Sequence, residues 1–88
     1  MAGYVRVTDM VHDQSNHLRR YFGVMYTGLN LYPTKRFVVE TMDGAVAVVT
    51  GREDQDISDL GIATTRERKL ALKACRTFER EMTRGLRE

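Results

Sequence analysis

The sequence predicts an α+β fold: a small antiparallel β-sheet or barrel of four to five strands, followed by one long C-terminal amphipathic α-helix. Three observations carry the prediction. Polar and apolar side chains alternate in the N-terminal half, an Asp-Gly pair separates two valine-rich runs, and apolar residues recur every three or four positions over the last quarter. With 88 residues, 42% hydrophobic and 30% charged, the chain has the composition of a single folded domain, a β-rich body over 1–63 and a helix over 64–88. A domain of this size hides only about 60 to 65% of its unfolded surface, so its core is modest. The single Cys75 forms no internal disulfide, which leaves packing or self-association to stabilise the fold.

Tyr4-Val5-Arg6-Val7-Thr8 alternates with the period of a half-buried strand. Asp9 to Arg20 is mostly polar and suits an excursion loop or a short helix. Tyr21 to Thr27 is aromatic and β-favouring, with Gly23 marking a bulge or a close backbone approach. Gly28, Asn30 and Pro33 interrupt the pattern, and Phe37 to Thr41 resumes it as a third strand. Met42-Asp43-Gly44 then predicts a tight hairpin, because Asp-Gly accepts the positive φ angles such a turn demands. The fourth strand is Ala45 to Thr50. Beyond the acidic turn Arg52 to Asp56, Ile57 to Gly61 reads as a brief last strand or one helical turn.

Thr64 precedes Glu67 by three residues, the spacing of a capping box. From Thr65 to about Arg87 there is no proline, and helix-forming residues dominate. Ala71, Cys75, Phe78, Met82 and Leu86 fall on one apolar stripe. Lys69, Lys73, Arg76, Arg80, Arg84 and Arg87 fall on the opposite side as a cationic ridge about 27 Å long. The acids Glu67, Glu79, Glu81 and Glu88 project to its flanks. Residues 1–64 carry six Lys or Arg against eight Asp or Glu, whereas residues 65–88 carry eight against four. The net charge of +2 therefore conceals a segregation that bears on partners.

Five short strands with a long excursion after the first, a tight hairpin and an appended helix resemble the plan of a small SH3-like barrel. Within that class, Val5-Arg6-Val7 followed by Arg20-Tyr21-Phe22-Gly23-Val24 resembles the KOW-type element of transcription and ribosomal proteins. The resemblance implies contact with nucleic acid or polymerase. The chain has Asn16, His17 and Leu18 where the KOW pattern has a glycine and more basic residues.

No catalytic constellation stands out, and a non-enzymatic protein without a cofactor is expected. His12 and His17 lie near Asp9 and Asp13 without an evident nucleophile or oxyanion donors. A zinc site would need Cys75 to join both histidines without paired spacing. Asp54, Asp56 and Asp59 lack the EF-hand pattern. Met1 to Val11 has no apolar run of the secretory kind, and Ala45 to Val49 is too short to span a bilayer, so a cytoplasmic protein with no membrane contact is expected. Of the aromatic residues Tyr21, Phe22, Tyr26, Tyr32 and Phe37, only Tyr32 is expected at the surface.

Two functions of different classes remain. The first is a protein-binding adaptor or inhibitor, of the short, motif-free kind often carried by phages and mobile elements, docking on a larger protein or complex. The second is binding of DNA or RNA by the ridge Lys69, Lys73, Arg76, Arg80, Arg84 and Arg87, with Arg19, Arg20, Lys35 and Arg36 as a second patch. The modest total charge favours the first and its segregation the second, and the protein-binding adaptor or inhibitor is the expected function. The small core and half-apolar helix also make a homodimer an expected form.

Overall fold

The computed structural model describes residues 4–26 and 33–87, the last two by their backbone alone. Five antiparallel strands form one sheet in chain order: β1 (Tyr4–Asp13), β2 (Leu18–Tyr26), β3 (Lys35–Met42), β4 (Ala45–Arg52) and β5 (Gly61–Ile62). Helix α1 (Thr65–Arg87) follows. Tyr32, Leu86 and Arg87, on which sequence expectations fell, lie outside the described side chains.

The SH3-like barrel alternative gives way to an open sheet. β1 and β5 stand at opposite edges, and β5 has only two residues. Closure needs tilted, staggered strands long enough to meet across the barrel. Here α1 covers one face instead.

The loop or short helix expected over Asp9 to Arg20 is also corrected, since only Gln14–Asn16 makes a 3-10 turn. β1 continues to Asp13 and β2 begins at Leu18, so the segment is a long hairpin. Its polar residues serve the turn. The Asp13 carboxylate accepts from the Ser15 amide, the Ser15 hydroxyl and the Asn16 side chain at 3.1, 2.7 and 2.8 Å. These bonds hold Asp13 below the usual carboxylate range. His17 takes a left-handed φ of 53° to admit β2. Polar alternation in β1 reflects its place at an edge with one open face.

The second hairpin forms as its Asp-Gly pair requires, with φ of 52° at Asp43 and 83° at Gly44. Of the two alternatives expected over Ile57 to Gly61, a helical turn or a brief strand, Ile57–Asp59 take the first as a single 3-10 turn, and the short strand β5 follows it. Gln55 fastens this loop. Its side chain accepts from the Arg52 amide and donates to the Asp59 carbonyl, while its own carbonyl accepts from Arg36.

One face of the sheet carries the core. Tyr21, Met25, Phe37, Val39 and Val48 pack against Ala71, Ala74 and Cys75 of α1, with Val5, Val7 and Met10 at the margin. Gly23 is a close approach: a Cβ there would lie 2.1 Å from the Phe37 ring and 2.6 Å from the Arg6 carbonyl. The irregularity lies opposite it in β1, where the register slips between Val7 and Asp9. On the other face, Leu60 and Gln55 fold over Gly51.

The N-terminus of α1 is anchored by Glu67. Its carboxylate accepts from the Thr64 amide at 2.9 Å, and the Thr64 hydroxyl accepts from the Glu67 amide at 3.2 Å, closing the capping box. The same carboxylate receives Lys35 of β3 at 2.5 Å and Thr50 of β4 at 3.1 Å. Farther along, Arg68 donates to the Val46 carbonyl, and the Tyr21 hydroxyl donates to Glu79.

Candidate functional site

With α1 fixed by these contacts, its outer face follows from helical periodicity. Lys69, Lys73, Arg76, Arg80 and Arg84 are all exposed. None of their side chains makes an ion pair or a hydrogen bond among the described residues, where the three ion pairs are Arg20–Glu40, Lys35–Glu67 and Arg52–Asp54. Arg66, three residues before Lys69, is exposed on the same line and equally free. It was legible in the same three-and-four spacing and extends the ridge by one turn. From Arg66 to Arg84 the line runs about 27 Å. Arg68 faces inward and is spent on Val46.

The proposed second patch is dispersed. Arg20 binds Glu40 across the β2–β3 register, Lys35 binds Glu67, and Arg36 binds the Gln55 carbonyl. Lys35 pairs with Met25 and Arg20 with Glu40, so these cations sit toward opposite ends of the sheet. Arg19 alone lies toward the ridge, beside the Tyr21 hydroxyl.

Between the ridge and the sheet runs a cleft of about 470 Å³, floored by Val39, Val46, Leu72 and Cys75 and rimmed by Arg76 and Arg80. Burial and the Glu79 carboxylate push the Tyr21 hydroxyl up to about 12. Burial, with Glu79 nearby, pushes the Cys75 thiol up to about 11, away from thiolate chemistry at neutral pH.

The acids collect elsewhere. Glu53, Asp54, Asp56 and Asp59 are exposed on the loop that folds over the face remote from α1. The molecule therefore carries opposite charge on its two faces. Among the described aromatic residues, Tyr21 and Phe37 are buried, Phe22 is half-buried, and Tyr26 stacks on the exposed Tyr4 with ring centroids 4.4 Å apart.

The histidine–carboxylate pairs weighed from sequence are not assembled. Asp13 is taken by its turn, and Asp9 accepts from the Met10 amide at 2.8 Å. Cys75 is buried on the inner face of α1 while His12 and His17 are exposed, so the three do not converge. No group of three or more His, Cys, Asp or Glu among the described residues could hold a metal ion. Among those residues no helix is long and apolar enough to cross a membrane. No protein-family model, no curated protein and no solved structure matches this chain, so the meaning of the cationic face rests on its own residues.

Proposed function

We propose that the chain is a small non-enzymatic nucleic-acid-binding module that lays the solvent face of α1 along a phosphate backbone. One observation carries the reading: Arg66, Lys69, Lys73, Arg76, Arg80 and Arg84 form a single line without a neutralising carboxylate among the described residues. Six unpaired cations in a row repel one another, and a polyanion relieves that repulsion while releasing its counterions. The acidic loop on the far face orients the molecule in the same field. Contact is with phosphate, because the ridge offers flexible point charges and exposes no aromatic surface for stacking.

Anisotropy titration with a labelled duplex tests the reading. If about six phosphates are neutralised, affinity falls about a thousandfold between 50 and 200 mM salt. The triple variant Lys73→Glu/Arg76→Glu/Arg80→Glu abolishes binding while its circular dichroism stays native, since all three side chains are exposed. Binding that ignores salt, or survives the triple reversal, removes the proposal.

The adaptor reading draws on a different observation, the apolar cleft beneath Arg76 and Arg80, which suits an acidic peptide with one apolar anchor. Stoichiometric capture of one protein after nuclease treatment, with no affinity for DNA or RNA, would favour it.

A further inference from the structure

β1 is a ten-residue edge strand, and its outer side is a template for another strand. Its side chains are arranged so that a second copy of itself is the complementary partner. The register slip between Val7 and Asp9 changes which residues face the core. Val5 and Val7 before it, and Met10 after it, border the core. Tyr4 and Arg6 lie on the open face against Tyr26. By alternation Asp9 and Val11 share that face.

Consider two β1 strands running antiparallel about a two-fold axis midway between Val7 and Thr8. Val5 then faces Met10 of the second copy on the core side. On the open side Arg6 faces its Asp9, and Tyr4 faces its Val11. Symmetry repeats each pair. Apolar meets apolar and positive meets negative at these flanking positions, while at the axis Val7 meets the second copy's Thr8. A shift of one residue sets Val7 against Asp9 and Arg6 against Met10, which loses both matches.

The helix agrees with the strand. A groove of about 410 Å³ runs between β1 and α1, and Leu70 stands 38% exposed on its wall. Lys73 and Glu81 line the same groove, four residues to either side of Thr77. The two-fold turns the second α1 antiparallel to the first, on the same side of the joined sheet. Tyr4, Val11 and Leu70, three of the exposed large apolar residues, are covered together. The apolar stripe of α1 is spent on this chain's own sheet as far as Phe78, and of the two sheet edges β1, with ten residues against two in β5, is the one long enough for self-association.

We propose that two copies join β1 to β1 in an isologous dimer, fusing the two five-stranded sheets into one with both helices on the same side. Both cationic ridges then face the same way. The dimer is independent of the nucleic-acid reading, though it doubles the charge available to it.

Sedimentation equilibrium of the full chain without nucleic acid tests it. The expected species has twice the 10.1 kDa of one copy. Asp9→Arg sets like charges opposite each other and raises the dissociation constant by about tenfold or more. The swap Arg6→Asp/Asp9→Arg restores the pairing and returns the constant to within about threefold of the parent. Circular dichroism separates a lost interface from a lost fold. A native-like monomer at about 100 μM overturns the inference, as does an Asp9→Arg dimer as tight as the parent. A dimer with no affinity for duplex keeps this inference and removes the nucleic-acid reading, and a monomer that binds duplex does the reverse.

Discussion

Gly23 sits where β1, β2 and β3 crowd together, because the Phe37 ring fills the space a side chain would take. Gly23→Ala must displace that ring or the Arg6 carbonyl, so we predict a loss of about 2 to 4 kcal/mol, read as the midpoint shift in urea. Glu67 is a second decisive residue. Lys35 holds its carboxyl at about 2, together with the Thr64 amide and the Thr50 hydroxyl, against an ordinary value of 4.5. Because the folded value is the lower one, its stabilisation is fully present above about pH 4.5. It fades as pH falls toward 2. Lys35 is nearly half exposed, so solvent screening limits the contribution to about 1 to 2 kcal/mol. Glu67→Gln should cost that much at pH 7, and the gap between variant and parent should close on acidification. A gap that persists at pH 2 would contradict this assignment. The capping box itself was legible as Thr64 and Glu67. The reach of the same carboxylate to Lys35 and Thr50 was not, because those residues lie 32 and 17 positions away and meet it only once the sheet has formed.

Among the elements, α1 was the most legible, since helical propensity and a three-and-four rhythm are local properties. Its inner stripe holds through Phe78, half-buried against Tyr21. Met82, expected in the core, is 43% exposed, and Arg80 to Gly85 are exposed on every side. The sheet ends before the helix does. Nothing in the helical pattern records how far the opposing surface extends. Gly85 belongs to this overhang and has no neighbour within 4 Å of where a Cβ would stand. Gly85→Ala should therefore raise stability or helix content by up to about 1 kcal/mol, measured by circular dichroism on melting, and leave ridge binding unchanged. The β1–β2 hairpin was missed for the converse reason. Its polar composition resembles a loop, but an edge strand needs apolar residues on one face only, and Asp13, Ser15 and Asn16 build a turn by bonding one another.

Taken as a whole, the molecule is a dipolar plate, with the bare cations of α1 on one side and the acidic loop on the other. If this geometry rather than net charge governs binding, Asp54→Asn/Asp56→Asn/Asp59→Asn should change duplex affinity by less than about threefold at 150 mM salt, where the screening length is about 8 Å. An increase comparable in size to the loss from reversing three ridge residues would show that net charge decides instead. The sequence alone determined the α+β class, the Asp-Gly hairpin, the capped helix and the line of cations along it. Each depends on residues within a few positions of one another. Tertiary structure decided that the sheet stays open and which cations remain free. Arg20, Lys35 and Arg36 looked equivalent to the ridge until strand register and helix docking gave them Glu40, Glu67 and Gln55. A charge is available to a partner only when the fold has not already supplied one, and that supply comes from residues distant in sequence.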